Sequence, residues 1–239
     1  MKFKEYSDMF EGDVCAEGRR LLGSRLERYN ALQKAIYSYP LCSREEHLRN
    51  IQEFYSLAIT SGVKDMVNRA DPLVPWIAEQ MNDTIEGNKV IDLGCCNGFF
   101  TVFYALNHPD SQFIGIDISK EAIDAAKTRV EKFDVRNINW ILEDVLEIDQ
   151  DLEEADTIML QDAICQLCGP RNRTKECSML KFLSPYQKKG GIVIIGQEGD
   201  HIGKNNHCGY VFDERKLEQR FDRNSNSEEV YEIVVFRKT

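Results

Sequence analysis

Residues 89–100 read K-V-I-D-L-G-C-C-N-G-F-F, and the fold is decided there. Val90 and Ile91 are a short β-branched run. Asp92 follows where a buried strand would end, Gly94 and Gly98 frame a tight turn, and residues 99–108 read as the helix after it. A strand, a glycine-bearing turn and a helix N-terminus form a cradle for a polar ligand. Glycine lets a ligand approach the backbone, and the first helical N–H groups point at it unpaired. One such turn is a weak signal by itself, because any α/β crossover has one.

The glycine spacing separates the ligands such a cradle can hold. A dinucleotide fingerprint G-x-G-x-x-G starting at Gly94 needs glycine at 96 and 99, where the chain has Cys96 and Phe99. The pattern acid-x-G-x-G-x-G fits better, with Asp92, Gly94, Cys96 and Gly98 matching at three of four positions. This stretch resembles motif I of the class I S-adenosylmethionine (SAM)-dependent methyltransferases. SAM has no pyrophosphate. Its methionine end carries an ammonium, which an acid near the turn can hold, and a carboxylate, which suits backbone donors. Cys96 in place of the middle glycine suggests a slightly wider turn.

A chain of 239 residues fits one large domain, or a core plus a cap. Apolar content of 42% and charged content of 29% are ordinary for a soluble globular protein. No apolar run is long enough to span a bilayer, and residues 1–30 are charged throughout, unlike a secretory signal. The expected location is the cytoplasm, with no membrane partner. A net charge of −10 argues against a nucleic-acid polyanion as main substrate, although Arg171, Arg173 and Lys175 form a local basic strip. Eight cysteines include Cys165, Cys168, Cys177 and Cys208, a conceivable four-thiolate set. The second pair lacks the C-x2-C spacing, so free thiols are the expectation and no metal is assigned.

Residues 1–84 look helical and form a cap or lid. Residues 17–39 carry Leu22, Leu26, Tyr29, Leu32 and Ile36 at helical spacing, and Pro40 ends the run. Ser43 and Glu46 form a capping-box signature ahead of the stripe Leu48, Ile51, Phe54, Tyr55 and Ile59. Asp71 and Pro72 read as the N-cap and first residue of a third helix. Residues 85–239 change to alternating short apolar runs and helices, the mark of βαβ units and a mainly parallel sheet. Strands are expected at 112–117, 139–142, 157–160, 191–195 and 230–236, and helices after Ser119, at 177–186 and at 213–221. The resemblance implies a Rossmann-like α/β fold: a seven-stranded, mostly parallel sheet, its last strand antiparallel, with helices on both faces. Between Phe221 and Val230 there is little room for the family's sixth strand.

In open α/β sheets ligands sit outside the carboxyl ends of the strands. The first strand ends at Asp92 and the glycine turn. The second ends at Asp117, 19 residues after Gly98; the third is followed by Asp144 and Val145; the fourth ends at Gln161 and Asp162. Any one of these acids alone reads as a capping residue, but successive acids at successive strand ends are a specific set. By the resemblance, Gly94, Asn97 and Gly98 line the methionine end of SAM. Asp117 holds the ribose with Ile118 beside the adenine, and Asp144 and Val145 contact the base.

Methyl transfer is an in-line displacement, so the protein must align a nucleophile, exclude water and sometimes remove a proton. The loop after the fourth strand should face the methyl group. Many relatives have His where Gln166 stands, and Gln cannot act as a base. Asp162, His201 and His207 are the other candidates for a base, and Asp162 reads more readily as supporting the cofactor's methionine end or positioning an acceptor. The resemblance implies a SAM-dependent methyltransferase that releases S-adenosylhomocysteine (SAH) and acts on O or N of a small metabolite in a biosynthetic pathway. Protein or RNA methylation, and SAM binding without catalysis, stay open. A homodimer through a bare edge strand or the helical cap stays open as well.

Overall fold

The computed structural model describes residues 1–7, 10–37, 43–148, 152–163, 175–198, 210–222 and 228–239. Among the described residues, seven strands form one sheet: β1 (Lys89–Leu93), β2 (Gln112–Asp117), β3 (Ile138–Leu142), β4 (Ala155–Gln161), β5 (Gln187–Glu198), β6 (Tyr210–Asp222) and β7 (Glu228–Lys238). The spatial order is β3-β2-β1-β4-β5-β7-β6. β1 to β5 run parallel, and β7 is antiparallel to both β5 and β6. The order reverses at β1, so the loop after β1 opens into the crevice between two crossovers.

Strand alternation decides which side chains meet which layer. Val90, Phe113, Met159, Ile194 and Ile233 point to one face. There they are covered by α1 (Phe3–Tyr6), α6 (Val74–Thr84), α7 (Phe99–Asn107) and the end of α8 (Lys120–Phe133). Ile91, Leu93, Ile158, Val193 and Val234 point to the other, under α9 (Lys175–Leu183). The central strands are buried on both sides, which is why they read as unbroken Ile/Val/Leu runs. The Tyr6 hydroxyl donates to the Phe99 carbonyl at 2.5 Å, tying the first helix to the start of α7.

The remaining N-terminal helices are α2 (Val14–Leu22), α3 (Leu26–Tyr37), α4 (Arg44–Thr60) and α5 (Val63–Ala70). α4 packs against α3, α5 and α8. Ser43 caps α4 by accepting from the Glu46 N–H at 3.2 Å. Among the described residues, no helix is long and apolar enough to cross a membrane.

Three expectations are corrected. Within the run read over residues 17–39, the described part, up to Tyr37, is two helices broken by a 3-10 turn at Gly23–Arg25. Asp71 does not cap its helix directly: its carboxylate accepts from the Leu73 N–H at 2.9 Å in a local turn, and α6 starts only at Val74. Residues 213–221 are not a helix but part of β6, paired with β7 from Lys216↔Val234 to Asp222↔Glu228. The helix-forming residues there yield to a long antiparallel ladder, a non-local gain that outweighs weak local propensity. The strand sought between Phe221 and Val230 is therefore β6, over Tyr210–Asp222.

Candidate functional site

The glycine turn is fixed from below by the strand next to it. The Gly94 and Cys95 N–H groups both donate to the Ile116 carbonyl, at 2.8 and 3.1 Å. Cys96, which stands where the pattern has glycine, takes a left-handed φ of 51°. Its N–H donates to Asp117 Oδ2 at 2.9 Å. Gly98 has φ 67° and caps α7, where a Cβ would lie 2.8 Å from both Ala126 Cβ and the Trp140 ring. Only glycine fits there without movement.

Asp92 faces α7 and is 5% exposed. The Thr101 hydroxyl donates to its Oδ2 at 2.5 Å. Burial pushes the carboxyl up to about 6; the Thr101 bond opposes the rise and the neighbouring Asp117 charge adds to it. A carboxyl that titrates higher when folded stabilises the fold at low pH, and that contribution is lost as pH rises through about 6. Asp92→Asn cannot ionise. Its stability relative to wild type should therefore increase between about pH 4 and pH 7, by up to about 3 kcal/mol. Thermal melts of both proteins across that range check it; a difference independent of pH would sink the assignment.

Asp117 accepts twice from the backbone: Oδ2 from Cys96 N–H and Oδ1 from Ser119 N–H, each at 2.9 Å. Burial raises its pKa, and these backbone donors work against the rise. Asp144 caps a short 3-10 turn, its Oδ1 accepting from Leu146 N–H at 3.0 Å. Its Oδ2 accepts from Arg44 Nη2 of α4 at 2.6 Å. Gln161 Oε1 accepts from the Tyr104 hydroxyl at 3.2 Å. Asp162 has φ 52°, and its N–H donates to the Gly196 carbonyl at 2.8 Å.

All the described candidates except Gly98 line one crevice: Asp92, Gly94, Cys96, Asn97, Asp117, Ile118, Asp144, Val145, Gln161 and Asp162. Gly98 sits behind the turn, against α8 and Trp140. Gln166, His201 and His207, with Cys165, Cys168 and Cys208, lie outside the described residues. Tyr210 is buried on the α9 face of the sheet, packed in the core.

The opposite wall comes from the N-terminal helices. α4 contributes Leu48, Ile51 and Tyr55, and α5 contributes Lys64 and Asn68. The α4 stripe was visible in the sequence as helix periodicity. Lys64 and Asn68 carry no motif; the only signal is their spacing of four on a short amphipathic helix. α5 is locked to the glycine turn by Asp65, whose Oδ1 accepts from Asn97 Nδ2 at 2.6 Å and from Arg129 Nη2 at 2.5 Å. The Arg129 guanidinium also sits 5.0 Å over the Phe99 ring.

A parallel sheet that reverses at β1, with an antiparallel seventh strand and acids around a glycine turn, defines a Rossmann-like domain of the class I methyltransferase type. The chain belongs to the methyltransferase-domain family, whose profile matches residues 85–236. It is 28% identical to a carboxy-S-adenosyl-L-methionine synthase of Nautilia profundicola, over 59% of this chain and 59% of that protein. It is 33% identical to a ribosomal RNA small subunit methyltransferase G of Prochlorococcus marinus, over 52% of this chain and 51% of that protein. The chain thus spans little more than half the length of either relative. Among solved structures, a SAM-dependent methyltransferase from Thiobacillus denitrificans in complex with SAH superposes with a TM-score of 0.54. The identity is 14%, over 71% of this chain and 93% of that one. At that identity the likeness concerns the fold.

Proposed function

We propose that this protein is a SAM-dependent methyltransferase that transfers a methyl group to an O or N atom of a small metabolite in the cytoplasm. One observation carries the reading: the acids at the ends of β1, β2 and β3 converge with the glycine turn on a single crevice. The residues present suit the cofactor. Asn97 Oδ1 and Asn68 Nδ2 are buried on this crevice without a hydrogen-bond partner, so the site keeps both an acceptor and a donor in reserve for a ligand.

In this reading Asp117 accepts from the ribose hydroxyls and Ile118 lies along the adenine. Asp144 and the Val145 N–H take the edge of the base, with Asp144 shared with Arg44. Asp92, Gly94 and Asn97 surround the methionine end. When bound, SAM supplies a methyl group already activated by its sulfonium. The protein then has to place the acceptor in line, keep water out and take up a proton where the acceptor releases one. Leu48, Ile51 and Tyr55 supply the apolar wall for water exclusion. Asp162 faces the crevice at the end of β4 and is assigned to orienting the acceptor or receiving its proton.

Asp162→Asn preserves the shape and tolerates the left-handed backbone. It should leave SAM affinity nearly unchanged and lower turnover by about 10²-fold if Asp162 takes the proton. Calorimetry and single-turnover kinetics measure the two; a large loss of SAM affinity would move Asp162 to the cofactor. Release of SAH is the assay for the function itself, run on a metabolite panel and, in parallel, on ribosomal and transfer RNA. RNA turnover would favour the second reading, RNA methylation. That reading is prompted by the ribosomal RNA methyltransferase among the relatives and opposed by the net charge of −10. Tight SAM binding with no release on any acceptor would favour a non-catalytic SAM-binding protein.

A further inference from the structure

Helix α5 precedes the residues matched by the family, yet it forms part of the crevice wall. Lys64 and Asn68 are four residues apart on it, so they lie on one face, one turn above the other. Both line the crevice. Asn68 is only 4% exposed, and its Nδ2 has no hydrogen-bond partner. A buried amide donor is normally paired, and one left open toward a cavity points to a ligand acceptor. Lys64 brings an ammonium beside it, and an ammonium offers donors only. Two adjacent donors, one of them charged, suit an anionic oxygen pair.

The facing group has the opposite character. Asn97 is 4% exposed, and its Oδ1 is an unpaired acceptor on the same crevice. Asp92 adds a carboxyl nearby on the same lining. The bonds of Asp65 to Asn97 and Arg129 hold α5 in register with the glycine turn, so the donors on α5 and the acceptor at Asn97 keep a fixed relation. Donors on one wall and acceptors on the other match a zwitterion, an α-amino acid end.

We infer that Lys64 and Asn68 form a carboxylate-binding subsite, through which α5 extends ligand recognition beyond the family's matched residues. The inference rests on the SAM reading of the crevice. The carboxylate has two possible sources, the methionine end of the cofactor or an acidic acceptor molecule.

Titration calorimetry of the full chain with SAM and with decarboxylated SAM, which lacks only that carboxylate, tests it. Wild type should prefer SAM by about tenfold or more, the scale of a charge-assisted hydrogen bond. Lys64→Met and Asn68→Asp should collapse the preference toward unity by weakening SAM alone, and Lys64→Arg should keep most of it. Ligand-free melting curves separate these effects from loss of folding. If wild type binds both compounds equally, SAH-loaded protein is titrated with acetate and benzoate. Binding that Lys64→Met abolishes assigns the carboxylate to the acceptor and upholds the subsite. Equal binding with no carboxylate captured, or a preference that Lys64→Met leaves intact, overturns the subsite alone. Wild type that binds neither SAM nor SAH overturns the cofactor reading and the subsite with it.

Discussion

Asp117→Ala should weaken SAM binding by at least about 100-fold, because hydrogen bonds to a charged acceptor are worth about 1.5–3 kcal/mol each and the ribose offers two. The same substitution strips the acceptor from the Cys96 and Ser119 N–H groups, so the glycine turn keeps only its Ile116 carbonyl bonds to β2. The ligand-free protein should therefore melt several degrees lower, as expected for roughly 1–2 kcal/mol. Asp117→Asn separates the two effects, since its carbonyl can still accept one backbone bond. Calorimetry with SAM decides the ribose assignment: an unchanged affinity in Asp117→Ala would show that the carboxylate serves only the turn.

Gly98→Ala should be the most damaging single methyl addition in the site. The new Cβ meets Ala126 Cβ and Trp140 at 2.8 Å and the Ala126 backbone at 3.2 Å, so flexible side chains alone cannot absorb it. A left-handed conformation costs a non-glycine residue about 1–2 kcal/mol, and overpacking adds about 1–3 kcal/mol. A loss of about 3 kcal/mol or more is a large part of the 5–15 kcal/mol typical of a domain, roughly. It should also push α7 away from the crevice and so lower SAM affinity. Gly190→Ala is the control: Gly190 also has positive φ, 79°, but a Cβ there meets nothing within 4 Å. It isolates the conformational part, about 1 kcal/mol. Equal denaturation midpoints for Gly98→Ala and Gly190→Ala would sink the packing argument.

What could be read from the sequence follows from how local each cause is. The β2 boundaries, 112–117, were readable residue for residue, because a buried apolar run ends there in an acid followed by a helix-capping serine. The strand-end acids were readable for the same reason: strand, turn and helix start are neighbours in the chain. Residues 213–221 misled because D-E-R-K-L-E-Q-R-F favours a helix locally, while the bonds that decide its state come from β7. α5 escaped because its apolar stripe, Val63, Met66, Val67 and Ala70, spans only eight residues. Lys64 and Asn68 gained significance only once Asp65 was seen to dock them against a turn about thirty residues away. Gln166 and His201 fall outside the described residues, so the sequence remains the ground for them.

The crevice is a seam. One side is built by residues 48–68 and the other by residues 92–163, and the Arg44–Asp144 and Asp65–Asn97 bonds stitch its two edges. A molecule seated there touches both banks at once, so part of its affinity becomes adhesion between them. Whatever fills the seam acts as mortar, and the N-terminal helices are held harder to the sheet in the loaded protein than in the empty one.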